Sequence, residues 1–188
     1  MTINPAFATG AKLPIQSPPN SAGIPAAVLS PCKKYRYVLS RELAGEGSGV
    51  CVFIMLNPST ADHEVNDATI EKCMRYGFGW GYKTLVVLNL FAFRETSPEK
   101  MLKADDPVGP DNLMHIRATL NYIWYSGKKH VVVLGWGNDA PANYANEMIR
   151  LLNAGGYALH YLKMNQTGAP AHPLYLKGNL QPLIWRWS

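Results

Sequence analysis

The sequence predicts an α/β protein, a single open, mainly parallel sheet flanked by helices on both faces. Three observations lead there. Apolar runs alternate with segments of helical period in strand–helix order along the chain. Two of the runs, residues 50–56 and 83–89, are apolar nearly throughout, as strands covered on both faces are. Loops combining polar groups with glycine, proline or aromatics follow four strand ends, the place where such sheets carry their working residues.

Taken in order, residues 35–43 (YRYVLSREL) alternate more than the other runs and are placed toward an edge. The glycine-rich turn AGEGSG joins them to residues 50–56 (VCVFIML) as a neighbouring strand. Asp67 suits the cap of a helix with Ile70, Cys73 and Met74 on one stripe, failing near Gly77 or Gly79. Residues 83–93 give a buried strand and an aromatic loop. Leu113, Ile116, Leu120, Ile123 and Trp124 recur at three- and four-residue spacings, with Pro110 fitting a first turn and Gly127 a stop. HVVVLGWG is a further strand, ANYANEMIRLLNAGG a helix ended by Gly155 and Gly156, and residues 157–164 a last strand.

A chain of 188 residues has room for one core. It is assigned to residues 34–188, after a proline-rich arm over residues 1–33 carrying Pro5, Pro14, Pro18, Pro19, Pro25 and Pro31. With 16 % charged and 47 % hydrophobic residues the chain is no disordered basic tail, and its net charge of +5 permits a polyanionic partner. Cys32, Cys51 and Cys73 match no zinc or iron–sulfur spacing, and the histidines offer no i, i+4 pair, so neither metal nor cofactor is expected. Neither GxxxxGK nor GxGxxG occurs, and no HxE accompanies paired cysteines. No secretory leader and no apolar run of about 18 residues is present, so the expected location is cytoplasmic and off the membrane.

The four strand ends supply the candidates. Asn57 follows an apolar strand and precedes Pro58, which biases its backbone to an extended form and fixes its amide on an edge. Ser59 and Thr60 add hydroxyls. Asp62 and Asp67 add carboxylates, one of which can serve as a base; capping accounts for Asp67 equally well. Asn89 has the donors and acceptor to read an amide-like N–H/C=O edge such as that of a pyrimidine. Phe91 and Phe93 can stack on a ring or fill the core; Arg94 can meet a phosphate or an ordinary ion-pair partner. Trp136 can line the same cleft. His172, set between Pro170, Ala171 and Pro173, can donate to an oxygen that becomes negative as a bond breaks.

RYVLSREL, FIMLNPSTADHEVNDATIEKC, GYKTLVVLNLFAFRETSPEKMLKADDPVGPDN and AHPLYL resemble the DUF1643 family of bacteria and phages, over residues 35–176. That family usually has a proline where Ala68 stands, and commonly an aromatic at Leu43. More remotely the chain resembles the uracil-DNA glycosylase superfamily: Asn57 and Pro58 look like its water-positioning pair, Val86 to Asn89 like its base-reading strand end, His130 to Gly137 like its strand ending in WG, and His172 and Pro173 like its closing loop. Leu174 and Tyr175 stand where the superfamily commonly has a serine followed by proline or arginine, the DNA-wedging position. The resemblance implies a glycosylase-like hydrolase acting on a base or modified base in DNA. A nucleotide-processing enzyme of another reaction type and a non-catalytic nucleic-acid or base-binding module are the alternatives, so the partner expected is DNA or a nucleotide.

Overall fold

The computed structural model describes residues 20–59, 61–62 and 64–186. These form strands β1 (Ala27–Leu29), β2 (Arg36–Glu42), β3 (Val50–Met55), β4 (Thr84–Asn89), β5 (His130–Leu134), β6 (Leu159–Tyr161) and β7 (Leu183–Ile184). The α-helices are α1 (Ala68–Gly79), α2 (Pro98–Leu102), α3 (Asn112–Tyr125) and α4 (Ala142–Ala154). One sheet results, in the order β1-β2-β4-β3-β5-β6-β7.

The α/β architecture with helices on both faces agrees with the sequence reading, but the sheet is mixed rather than mainly parallel. β4, β3, β5 and β6 run parallel, while β1, β2 and β7 join antiparallel. The short link from β1 to β2 carries no crossover helix, which a parallel pairing requires, and the long link from β6 to β7 holds only the 3-10 turn Pro173–Tyr175. Nor is β2 the neighbour of β3. β4 lies between them, because its six residues are all buried and both its edges need a ladder. The glycine-rich segment instead passes beneath the start of β4, where Gly47 runs so close that a Cβ would fall 2.7 Å from the carbonyl oxygens of Gly81 and Tyr82.

Strand alternation divides the core. Val52, Ile54, Val86, Leu88, Val132 and Leu134 face α3 and α4, meeting Ile116, Leu120, Met148 and Leu152. Cys51, Phe53, Met55, Leu85, Val87, Val131 and Val133 face α1, meeting Ile70, Cys73 and Tyr76. Asp67 caps α1 as expected, its Oδ1 accepting from the Ile70 N–H at 2.9 Å. The short α2, which the sequence reading passed over, starts at Ser97, whose side chain accepts from the Lys100 N–H. Of the proline-rich arm, residues 1–19 lie outside the described residues. In residues 20–33, β1 pairs with β2 and Ile24 and Val28 enter the core; Pro25 and Pro31 flank this edge strand, where no ladder bond is lost.

Gly49 opens β3 at φ +80°, with the space of its missing Cβ only 2.1 Å from the Lys129 carbonyl oxygen. Gly49→Ala therefore has both a left-handed backbone and a backbone clash to absorb. We expect it to lower unfolding free energy by at least about 2 kcal/mol in denaturant titration. Gly79→Ala, at the end of α1 with no atom within 4 Å of its Cβ position, should change it by less than about 1 kcal/mol.

Candidate functional site

The parallel centre of the sheet delivers β3, β4 and β5 to one edge, and the alternation decides what faces α1 there. Continuing from Met55 and Val87, Asn57 and Asn89 stand on the α1 side. Beyond β5 the corresponding place is Gly135, whose missing Cβ would lie 3.1 Å from the Pro173 ring and 3.3 Å from the Met55 sulfur. A side chain there would push the His172–Pro173 loop away. The loop is held from α1 as well: the Tyr76 hydroxyl donates to the Lys177 carbonyl, and the Trp80 indole donates to that of Leu180 at 2.9 Å.

Between the strand ends, the start of α1 and this loop lies a cavity of about 690 Å³. Asn57, Ser59, Asp67, Asn89, Trp136 and His172 all line it, so four strand ends far apart in sequence reach one space. The other candidates lie elsewhere. Asp62 turns into its own loop, its Oδ1 accepting from the N–H groups of Glu64 and Val65. Phe91 is fully buried edge-on against Tyr144, since the chain leaves the sheet after Asn89. Phe93 packs on Tyr35, and together with Arg94 it lines an adjoining groove. Thr60 lies outside the described residues.

Asn89 is only 1 % exposed, and neither its Oδ1 nor its Nδ2 has a hydrogen-bond partner. Its backbone is fixed from behind, where the Asn112 amide donates to the carbonyls of Asn89 and Leu90. Asn57 spends its Nδ2 on the carbonyls of Pro58 and Glu95, at 3.1 and 2.6 Å, which ties the loops after β3 and β4 together and leaves its Oδ1 as the acceptor. His172 Nδ1 accepts from the Leu174 N–H at 3.4 Å, an arrangement that puts the proton of the neutral ring on Nε2.

Arg36, which sequence reasoning missed, is 2 % exposed in the cavity wall. Its Nη1 donates to the Ala61 carbonyl at 2.6 Å and its Nε has no partner. Burial lowers its pKa to about 10, Asp67 and Asp62 working against that shift and Arg94 and Arg41 with it, so it stays charged at neutral pH. The available signal was weak, since Arg36 opens a strand that also carries Ser40, Arg41 and Glu42. Its neighbour Arg41 donates from Nε to Asn66 at 2.7 Å and from Nη2 to the Asp62 carbonyl, so two β2 side chains hold the loop between β3 and α1. Tyr175, noted in the sequence only as a departure at the DNA-wedging position, is 84 % exposed at the cavity rim, its ring centroid 5.7 Å from that of His172. Among the described residues no group of three or more His, Cys, Asp or Glu side chains is placed to hold a metal ion, and no helix is long and apolar enough to cross a membrane.

Burial holds the His172 pKa below the usual 6.5, with Asp67 and Asp139 opposing the shift. The folded state then takes up this proton less readily than the unfolded chain. Its contribution to stability is complete above pH 6.5 and is lost as pH falls from there through the folded pKa. In a ¹⁵N-resolved NMR titration we expect the His172 midpoint below 6.5, with the Leu174 amide shifting in step as Nδ1 gains a proton.

No curated protein and no solved structure matches the chain. Residues 36–174 match the family described as Protein of unknown function (DUF1643). That span is well over half of the sequence and holds all four strand ends of the cavity, and on it the chain belongs to the DUF1643 family.

Proposed function

We propose that the cavity binds a nucleobase and that the protein is a glycosylase-like hydrolase, cleaving the N-glycosidic bond of a base or modified base in DNA with a positioned water. The observation that carries this reading is the Asn89 amide, buried in the cavity wall with donor and acceptor both unpaired. Leaving such a group unsatisfied costs about 1–3 kcal/mol, a cost relieved when a ligand supplies the matching edge. One N–H and one C=O side by side, as on a pyrimidine, are that edge.

The other groups then have consistent roles. Asn57 Oδ1 accepts from the attacking water and aims its oxygen at C1′. Asp67 keeps Oδ1 on the helix cap and takes the water's proton on Oδ2. As the C1′–O bond forms, the C1′–N bond breaks and its electron pair leaves with the base. His172 Nε2–H donates to the base oxygen on which the negative charge gathers. Ser59 and Trp136 bound the pocket. A base within a duplex must be flipped out to reach it. A nucleotide-processing enzyme of another reaction type is the second reading, favoured by a cavity whose 690 Å³ is ample for a whole nucleotide.

The test is a panel of single- and double-stranded DNA containing uracil, 5-hydroxymethyluracil and other altered bases, scored for abasic sites. On the substrate found, His172→Ala should lower kcat by about a hundredfold or more with little change in binding, since its hydrogen bond strengthens only as charge develops. Asn89→Ala should weaken binding and turnover together, because the base edge it pairs is already unpaired in the bound complex. Turnover of His172→Ala at the parent rate overturns the mechanism.

A further inference from the structure

Beside the cavity, and sharing Ser59, Glu95 and Thr96 with it, runs a more open groove of about 530 Å³ that adds Lys33, Lys34, Phe93 and Arg94. Among the described residues its three cations face a single carboxylate, and that carboxylate is engaged. Glu95 Oε1 accepts from the N–H groups of Thr96 and Ser97, at 2.7 and 3.0 Å, and from the Thr96 hydroxyl. Arg94 has little to hold it: its Nη1 reaches the Lys33 carbonyl at 3.5 Å, and its Nε is buried without a partner. Arg36, on the cavity side, has the same buried and unpartnered Nε. The two guanidinium charges repel each other, and among the described residues neither is in an ion pair.

A guanidinium in the cavity wall and another in the adjoining groove, near enough to repel and each with a buried donor unused, are costly to fold unless an anion completes them, although Asp67 and Asp62 offset part of the Arg36 charge. The guanidinium fork matches phosphate oxygens, and Lys33 and Lys34 add exposed charges along the approach. Ser59 lines both spaces, so a ligand lying across it has one part in each.

We propose that this groove is a phosphate subsite contiguous with the base cavity, and that the protein's ligand is a nucleoside phosphate, free or within a strand, rather than a base or nucleoside. The nucleoside half rests on the base-binding reading; the phosphate half stands on Lys33, Lys34 and Arg94 in the groove, with Arg36 in the wall of the adjoining cavity.

Calorimetric binding to the intact protein tests this without reference to bond cleavage. The probes are inorganic pyrophosphate, deoxyuridine, deoxyuridine 5′-monophosphate and a short single-stranded oligonucleotide with one deoxyuridine, against the parent, Arg94→Gln and Lys34→Ala. We expect at least one of the two phosphate-bearing nucleosides to bind about tenfold more tightly than deoxyuridine. That advantage should fall with added salt and shrink to about threefold or less in Arg94→Gln. Full advantage with the mononucleotide points to a terminal phosphate, and advantage with the oligonucleotide alone to a phosphodiester; each supports the subsite. Pyrophosphate binding that Arg94→Gln weakens, with nothing gained from an attached nucleoside, upholds the subsite while refuting the base reading. Equal affinity for nucleoside and nucleotide without pyrophosphate binding, no binding of any phosphate-bearing probe, or an advantage that survives both variants overturns it.

Discussion

The parallel pairing of β3 on both its edges is the constraint from which the rest follows. Val50 lies opposite Thr84 and His130, and Ile54 opposite Leu88 and Leu134. With no register shift between the three strands, their carboxyl ends stop level, and every side chain keeps the face its parity assigns. Asn57 and Asn89 reach the same space because each follows an even number of residues after an α1-facing apolar residue. A slip of one residue between β3 and β4 would turn either Asn57 or Asn89 toward α3 and α4, away from the cavity.

The buried polar groups near this edge divide by whether the protein itself satisfies them. Asn112 uses its Nδ2 on two backbone carbonyls that the end of β4 leaves open. Asn57 does the same for Pro58 and Glu95. These amides are structural in their donors. The Asn89 amide and the Nε atoms of Arg36 and Arg94 are different, because none has a partner among the described residues. A core assembled for stability alone would place apolar groups there; of the other unpaired buried atoms, Asn112 Oδ1, His115 Nδ1 and Thr119 Oγ1 lie on α3 and Trp185 Nε1 follows β7.

The antiparallel half of the sheet is tied to the same place. β2 supplies Arg36 and Arg41, whose bonds to Ala61, Asp62 and Asn66 fix the loop between β3 and α1. β1, closing the edge of the sheet, receives some of that anchoring too, since Arg41 Nη1 also donates to the Ala26 carbonyl at 3.2 Å. On the opposite side the aromatic stack of Phe53, Tyr76 and Trp80 fixes α1 on the sheet and, through two carbonyls, the loop that carries His172. The cavity is thus walled by segments that are each held elsewhere.

The sequence by itself determined the α/β class, the apolar strands, the Asp67 cap and the four polar strand ends, because each is written in local period and local chemistry. It could not determine the strand order. β4 between β2 and β3 is a long-range pairing, and the turn linking β2 to β3 looks locally like an ordinary connection. The edges turned out antiparallel for the same reason: the direction of a pair depends on how the link folds in space. Asn57, Asn89, Trp136 and His172 were legible because a polar or ring-bearing residue at the end of an apolar run is a local signal. Phe91 and Asp62 showed the same composition and faced elsewhere, since which way a loop residue points depends on the neighbours it meets, Tyr144 for one and its own turn for the other. Arg36 came to line the cavity only through tertiary structure. Its strand, its burial and its unpaired Nε have meaning only once β2 lies against β4 and the loop after β3 folds over it.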